Sequence, residues 1–297
     1  MNFEQLRSFK AVAMEGGFSR AATALFLTQS TISMQVAALE KELGVRLFQR
    51  LGRRVVLTDA GEAMLGYTSR ILSLLEVSRS SMTEFRGLGR GELKVGASPT
   101  IGNYLIPEVL GEYRQRYPGV RVVLQIAPTP RIAAQTLGGN LHAGLVEAEV
   151  DDPDLNADSF FVDELVLIAP TRHPWTRRDA VSVSELATEP FIDREPGSGT
   201  RGIVRERLAD KGVTITPVLE MGSPEAIKSA VRAGLGVAIV SRLTAELELQ
   251  NGLLAVVPLE GISMTRRFLT LRHRNLIPSP SLGAFLEVLR DFSRQLL

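Results

Sequence analysis

Residues 19–40 read SRAATALFLTQSTISMQVAALE. This segment predicts two helices joined by a tight turn. Ser19 is expected to cap the first helix and Thr28 the second, because a hydroxyl oxygen accepts an unpaired amide hydrogen of the opening turn. In the second helix, apolar residues recur at spacings of four, three and four, which places them on one inward stripe: Ile32, Val36, Leu39 and Leu43.

The opposite face of the second helix carries small and polar side chains. Ser30, Met34, Ala37 and Lys41 point away from the apolar stripe. They are flanked by Thr31, Ser33 and Gln35. Short hydroxyl and amide groups at a helix start can reach base edges in a major groove, and the capped amide end suits a phosphate. A helix-turn-helix presents its recognition helix in this way, although similar helix pairs also serve only as packing in many domains.

A basic segment follows the helix pair. Arg46, Arg50, Arg53 and Arg54 fall within nine positions, just before the strand-forming residues 55–57. The pattern predicts a short hairpin with a basic tip. Such a wing would contact the phosphate backbone and add affinity without sequence information.

The amino-terminal residues resemble the signature of LysR-type transcriptional regulators. The motifs that carry this resemblance are SRAA at 19–22, Gln29, Ser33, LE at 39–40, ELGVRLFQR at 42–50 and LTDAG at 57–61. Many members have Pro where this chain has Ser30 and Arg where it has Met34, so the bases read here can differ. The candidate DNA-binding residues are Ser19, Arg20, Thr28, Gln29, Ser30, Thr31, Ser33, Met34, Gln35, Arg50, Arg53 and Arg54.

Composition restricts the class of protein. The 297 residues carry a net charge of +1, but residues 1–90 hold 12 Lys and Arg against 8 Asp and Glu, so the positive excess lies at the proposed DNA-binding end. The chain has no Cys, which excludes disulfides and cysteine nucleophiles. No secretory signal and no apolar stretch of about 18 residues is visible. We therefore expect a soluble cytoplasmic protein without a membrane partner.

Residues 59–86 predict a long linker helix that begins at Thr58 and Asp59. Its apolar positions recur at spacings of three and four, with Ser78 interrupting, and favour pairing with a second copy of the same helix. Three glycines in residues 87–91 then predict a hinge. The apolar positions of the linker helix are Met64, Tyr67, Ile71, Leu74, Met82 and Phe85.

From residue 92 onward, strands and helices alternate, which predicts an open and mostly parallel α/β sheet. Two series of this kind resemble the two-lobed effector-binding domain of LysR-type regulators, similar in fold to periplasmic solute-binding proteins. The predicted fold is thus α/β, with a helix-rich winged helix-turn-helix head at 1–58, the linker helix and hinge, and an effector domain at 92–297. Lobe I is expected to comprise 92–163 and 268–297, and lobe II 164–267.

Ligands of such sheets bind at the carboxyl ends of the strands. Four helix starts there carry hydroxyls and free amides, which together favour an anion. The segment 194–201, REPGSGTR, resembles a motif in the branch that senses metabolites of carbon fixation or sulfite reduction. Each hydroxyl could instead be an ordinary cap, Arg194 and Arg201 could pair with Glu195 or Glu225, and Glu147 could be solvated. The candidates are Ser98, Thr100, Thr129, Glu147, Arg194, Gly197, Ser198, Gly199, Thr200, Arg201 and Ser223.

No catalytic arrangement is visible in the sequence. His142, His173 and His273 are separated and show no metal-binding spacing, and no Ser-His-Asp pattern occurs. We expect no enzyme activity, no metal and no cofactor other than a small effector, which we expect to be an anion. The resemblance implies duplex DNA and RNA polymerase as partners. It also implies that the chain pairs with copies of itself, as a dimer through the linker helix and further as a tetramer. The alternative is a solute receptor whose amino-terminal helices form a docking domain.

Overall fold

The computed structural model describes residues 1–51, 54–84 and 91–295. Predictions that concern Arg53, Phe85 and the hinge residues 87–90 lie outside this range. The chain divides into two compact units. The first is Met1–Thr83 together with Leu137–Asn140, and the second is Glu84–Thr136 together with Leu141–Leu297.

The first unit is a head of short helices followed by a hairpin and a long helix. Its two strands pair antiparallel, with Phe48 opposite Leu57 and Leu51 opposite Arg54, which confirms the predicted hairpin. Its elements are α1 (Phe3–Glu15), α2 (Phe18–Leu25), α3 (Gln29–Leu43), β1 (Phe48–Leu51), β2 (Arg54–Leu57) and α4 (Asp59–Glu84).

Side-chain caps fix two of the helix starts in the head. Thr28 caps α3, as predicted, and its Oγ1 accepts a hydrogen bond from the amide of Thr31 at 3.2 Å. The predicted cap at Ser19 is wrong, because α2 begins at Phe18, two residues earlier than a cap at Ser19 implies, and Gly17 occupies the cap position without a side-chain bond. The turn between α2 and α3 includes Phe26 in a left-handed conformation, with φ of 55°.

The apolar stripe of α3 forms most of the head core. Ile32, Val36 and Leu39 are buried, together with residues of α1 and α2. The prediction for Leu43 is wrong, since this side chain is 38% exposed. Leu43 ends the helix, Gly44 turns the chain away through a left-handed conformation, and Leu47 instead lies buried in the core.

Helix α4 begins where the hairpin ends. Thr58 caps it, because its Oγ1 accepts a hydrogen bond from the amide of Gly61 at 3.0 Å. The predicted apolar stripe splits into two sets. Met64 and Ile71 pack against the head core, whereas Tyr67, Leu74 and Met82 are exposed.

The second unit is a mixed α/β fold. The helix predicted at 100–116 begins with a π-helical turn, Ile101–Leu105. The helix at Arg242–Gln250 and the strand at Leu254–Val257 were not predicted. The elements are β3 (Gly91–Ala97), α5 (Ile106–Arg116), β4 (Val120–Ile126), α6 (Thr129–Leu137), β5 (Ala143–Val146), β6 (Leu155–Pro170), β7 (Val181–Ser182), β8 (Ile192–Arg194), α7 (Gly199–Ala209), β9 (Leu219–Met221), α8 (Pro224–Arg232), β10 (Ala238–Ser241), α9 (Arg242–Gln250), β11 (Leu254–Val257), β12 (Leu259–Glu260), β13 (Thr265–His273) and α10 (Pro280–Gln295).

The main sheet has seven strands. One path runs in the order β4, β3, β5, β13, β6 and β10, and β11 also pairs with β6. The prediction of a mostly parallel sheet is wrong. In this sheet the parallel pairs are those that β3 makes with its two neighbours, β4 and β5. Strand β6 pairs antiparallel with β13, β10 and β11. The longest strands of the sheet, β6 and β13, are neighbours, and they run in opposite directions.

The second unit has separate hydrophobic cores along the length of β6. One contains Val95, Tyr113 and Phe285 beneath β3 and β5, and the others pack around the carboxyl half of β6. The predicted lobe boundaries, at 163/164 and 267/268, fall inside β6 and β13. Among the residues that the structure describes, no helix is long and apolar enough to cross a membrane.

Candidate functional site

Of the α3 residues predicted to read bases, Ser30 and Met34 are exposed, and Thr31, Ser33 and Gln35 are half-buried. Ser30, Ala37 and Lys41 are exposed, and Met34 is 67% exposed. The hydroxyls of Thr28, Ser30 and Thr31 cluster at the helix start, with Oγ1 of Thr28 lying 2.9 Å from Oγ of Ser30. This end of α3 therefore combines hydroxyl groups with the amide end of a helix, as a major-groove reader requires.

Four other predicted DNA-binding residues, Ser19, Arg20, Gln29 and Gln35, have partners inside the head. The Ser8 hydroxyl donates a hydrogen bond to the side-chain oxygen of Gln35. Oγ of Ser19 donates to Oε1 of Gln29 at 3.1 Å, and Nε of Arg20 donates to a backbone carbonyl at the end of α1 at 2.5 Å. These bonds join α1, α2 and α3. The side chains that make them therefore stabilise the outward face of α3 and also lie next to it.

The wing is fixed by a residue that sequence reasoning missed. Glu40 is 8% exposed, and its Oε1 accepts hydrogen bonds from the amides of Leu47 and Phe48 at 2.8 and 3.2 Å. Its Oε2 lies 2.8 Å from Nη1 of Arg46. The strand positions of Arg50 and Arg54 are described, but their side chains are not.

In the second unit, the ends of three adjacent strands place polar oxygens in the interior. Ser98 follows β3, Thr129 follows β4, and Glu147 follows β5, so all three lie at the same edge of the sheet. Each residue is buried. Oγ of Ser98, Oγ1 of Thr129 and Oε2 of Glu147 have no hydrogen-bond partner. Burial excludes the alternative that Glu147 is solvated.

Arg266 lies beside these oxygens, and the sequence did not single it out. Its side chain is 1% exposed. Nη1 lies 2.8 Å from Oε2 of Glu147 and donates to Oγ1 of Thr200 at 2.9 Å. Nη2 donates to Oγ1 of Thr100 at 3.4 Å. The Glu147 contact satisfies the distance for an ion pair but not the geometry of a hydrogen bond, so it is an electrostatic contact only.

Asp163 is the second carboxylate beside Arg266. Its Oδ2 accepts from Nε of Arg266 at 2.7 Å, and its Oδ1 accepts from the Ser241 hydroxyl at 2.7 Å. Burial nevertheless raises the pKa of Asp163, with Glu147 adding to the rise, while Arg266 and Ser241 oppose it. Desolvation therefore outweighs the favourable partners.

The segment 194–201 forms a turn and the start of α7. Gly197 adopts φ of 86° and Ser198 caps the helix. A side chain at Gly199 would lie 2.9 Å from Cγ of Glu147, so glycine permits α7 to begin against that residue. Thr200 is buried and bonded to Arg266.

The two predicted arginines of this segment are paired. Arg194 is 4% exposed and binds Glu195 through two nitrogens, at 2.7 and 2.9 Å, so the predicted pair is mostly buried, not at the surface. Arg201 pairs with Glu220 at 2.8 Å and lies 3.5 Å from Asp193. The alternative partner Glu225 is therefore wrong. Ser223 acts as the cap of α8, accepting from the Ala226 amide at 3.2 Å.

A small cavity of ≈ 10 Å³ adjoins this cluster. An organic anion needs far more room than this. The walls therefore have to separate before a ligand enters. The lining residues are Thr100, Arg194, Thr200, Pro224, Val240, Ser241 and Thr244.

The histidines do not gather metal ligands. His173 pairs with Glu189 at 3.1 Å and packs edge-on against Trp175. Within the described ranges, no group of three or more His, Asp or Glu residues could hold a metal ion.

Comparisons with known proteins identify the class. The family described as "Bacterial regulatory helix-turn-helix protein, lysR family" matches residues 3–62, and "LysR substrate binding domain" matches residues 86–294. The chain therefore belongs to the LysR family of transcriptional regulators, with a helix-turn-helix head and an effector-binding domain.

Particular relatives place it near regulators of carbon fixation. The chain is 35% identical over 295 residues to a RuBisCO operon transcriptional regulator of Allochromatium vinosum, covering 99% of this chain and 97% of the relative. Full-length OxyR of Pseudomonas aeruginosa has a TM-score of 0.77 at 26% identity, covering 99% and 95% of the two chains. The regulatory domain of Synechocystis CcmR in complex with 2-PG has a TM-score of 0.66 at 29% identity, covering 70% of this chain and 99% of that domain.

Proposed function

We propose that this LysR-type regulator binds promoter DNA through α3 and the wing, and that a small anionic effector bound beside Arg266 controls that binding. One observation carries the effector site. Three buried side-chain oxygens, on Ser98, Thr129 and Glu147, have no hydrogen-bond partner at one edge of the sheet. Leaving a buried polar group unpaired costs about 1–3 kcal/mol, so a ligand that pairs with these oxygens binds favourably.

The chemistry of the site favours an acid group. Two hydroxyls and the guanidinium of Arg266 can donate hydrogen bonds, and α7 begins against the site with its amide end. The related CcmR domain was solved with 2-PG, which supports a small effector of this kind here.

Ligand titration of the full-length chain tests the effector site. We expect inorganic phosphate or 2-PG to raise the melting temperature progressively as the ligand concentration increases, and Thr129→Val to reduce this effect. Thr216→Val is the matched control, because Thr216 is exposed. Stabilisation by neutral or cationic compounds alone would refute the anionic assignment.

For the DNA surface, we propose that Ser30, Thr31, Ser33, Met34 and Gln35 read bases and that Arg50, Arg53 and Arg54 contact phosphates. Exposed Met34 at the middle of the outer face supports this assignment. A lost base contact reduces specific affinity by about 1–3 kcal/mol. Met34→Ala should thus weaken binding to the chain's own upstream duplex and leave binding to random duplex unchanged.

Met14 provides a matched control for this experiment. It is also a methionine on a head helix and is 70% exposed, but it lies on α1. Met14→Ala should leave both affinities unchanged. Equal effects of the two substitutions on specific binding would refute the assignment of α3 as the reading helix.

We also propose that two copies pair through α4 and that the regulator works in the cytoplasm, where it contacts RNA polymerase. The exposed side chains of Tyr67, Leu74 and Met82 support the pairing, since exposed apolar residues that recur about every seven positions on a long helix favour a second helix. Co-retention of purified RNA polymerase on promoter DNA bearing the regulator tests the last point. Retention equal to that on bare promoter would refute it.

A further inference from the structure

The buried oxygens at the effector site differ in what they can offer a ligand. The hydroxyls of Ser98 and Thr129 can donate or accept, whereas an ionised carboxylate only accepts. Both oxygens of Asp163 already have hydrogen-bond donors, from Ser241 and Arg266. Oε2 of Glu147 has none. Glu147 is therefore the open acceptor of the site.

Glu147 is held in place from two sides. The start of α7 packs on its aliphatic part, because a side chain at Gly199 would meet its Cγ at 2.9 Å. Nη1 of Arg266 lies 2.8 Å from Oε2. The side chain is 1% exposed, so this carboxylate cannot obtain its missing hydrogen bond by turning to water.

The local charge is unfavourable for an anion without a hydrogen to donate. Arg266 carries one positive charge and faces two carboxylates, Glu147 and Asp163. An incoming anion with only acceptor oxygens would meet Oε2 of Glu147, which has no hydrogen-bond donor, and be repelled. An anion that carries a hydroxyl would instead donate to Oε2, which gives a charge-assisted hydrogen bond.

We propose that Glu147 makes this regulator selective for effectors that combine an acid group with a hydrogen-bond donor. Hydrogen phosphate, phosphate monoesters that retain a proton and hydroxy acids belong to this class. Sulfate and other anions that only accept hydrogen bonds do not. This inference rests on the proposed anionic effector and names the chemical class that the same site selects.

Phosphate and sulfate form a matched pair of probes. Above its second pKa, phosphate is chiefly a dianion of nearly the same size and charge as sulfate, but it retains one hydrogen. A hydrogen bond to a charged group contributes about 1.5–3 kcal/mol. Calorimetric titration of the full-length protein at about pH 8 and constant ionic strength should therefore show phosphate binding roughly 10- to 100-fold more tightly than sulfate.

Glu147→Gln tests the role of the carboxylate itself. The amide of glutamine can donate a hydrogen bond to sulfate, so the preference for phosphate should fall at least about tenfold. Glu149→Gln is the control, because Glu149 is exposed two residues away, and it should retain the wild-type preference. The wild-type comparison needs no variant, so equal affinities for phosphate and sulfate would overturn the inference even if the Glu147→Gln protein does not fold.

The outcomes separate this inference from the proposed function. Binding of phosphate and sulfate with equal affinity to the wild-type protein would overturn the selectivity assigned to Glu147 and leave an anionic effector in place. A phosphate preference that persists in Glu147→Gln would overturn it as well. No binding of phosphate, sulfate or 2-PG at millimolar concentration would refute the proposed effector class and this inference together.

Discussion

Arg266 and Asp163 lie directly opposite each other on β13 and β6, and Nε of the arginine donates to Oδ2 of the aspartate at 2.7 Å. Both side chains are almost completely buried. The two strands that carry them are the long antiparallel pair of the second unit. The ion pair therefore joins these strands beside the proposed effector site.

Loss of Arg266 should strongly destabilise the second unit. Arg266→Met leaves two buried carboxylates without their shared counter-charge, and breaking a buried pair in this way costs about 3–5 kcal/mol. Arg267→Met is a matched control, because Arg267 is the next residue of the strand and is exposed. Urea unfolding followed by Trp175 fluorescence measures both, since Trp175 lies in a core of this unit. Similar midpoints for the two variants would contradict the role given to Arg266.

The pH dependence of stability should report Asp163. Burial raises its pKa, so the folded state retains this proton to a higher pH than the unfolded chain. The folded state then binds more protons in the window between the ordinary and the raised pKa, and the free energy of unfolding falls as pH rises through it. Asp163→Asn should remove this contribution. Identical pH slopes for the wild-type and variant proteins in that window would rule it out.

Glu40 should be required for a stable wing. Hydrogen bonds from two backbone amides to a buried carboxylate are charge-assisted, so Glu40→Ala should lower the stability of the head by about 2 kcal/mol or more. Hydrogen exchange of the Leu47 and Phe48 amides should accelerate. Glu42→Ala serves as the control, because Glu42 is exposed and contacts only the amino terminus among the described residues. Unchanged exchange in Glu40→Ala would refute this role.

Pairing through α4 should be sensitive to charge on its exposed apolar face. Leu74→Glu places a carboxylate beside Tyr67 on that face and should raise the dimer dissociation constant at least about tenfold, because a buried unpaired charge is strongly unfavourable. Glu76→Lys changes the opposite face and should have little effect. Sedimentation equilibrium measures both constants. A Leu74→Glu protein that dimerises as tightly as the wild type would exclude α4 as the interface.

Local signals predicted the head well. The Thr28 cap, the stripe of Ile32, Val36 and Leu39 and the hairpin all follow from residues close in sequence, so they could be read directly. The prediction that Leu43 is buried is wrong because burial also depends on where the chain turns. Helix α3 ends at Leu43, and Gly44 turns the chain in a new direction.

The effector domain was harder to predict because its main connections are non-local. Strands β6 and β13 pair over a separation of about a hundred residues, and this reverses the expected parallel pattern. The sequence around Arg266 and Asp163 does indicate that both side chains point inward. Each alternates with buried apolar neighbours, Phe268 and Phe161 respectively, and so shares the inward face of its strand. The choice of partner for each charge depended on the register, which the sequence did not reveal.

Effector-controlled binding to promoter DNA is tested most directly by fluorescence anisotropy. The full-length protein is titrated on its own upstream duplex and on a scrambled duplex of the same composition. The titration is run at moderate ionic strength, with and without 2-PG. The protein should bind the upstream duplex at least about tenfold more tightly than the scrambled one, with a different affinity when 2-PG is present. Equal affinity for both duplexes, with no effect of 2-PG, would contradict the proposed function.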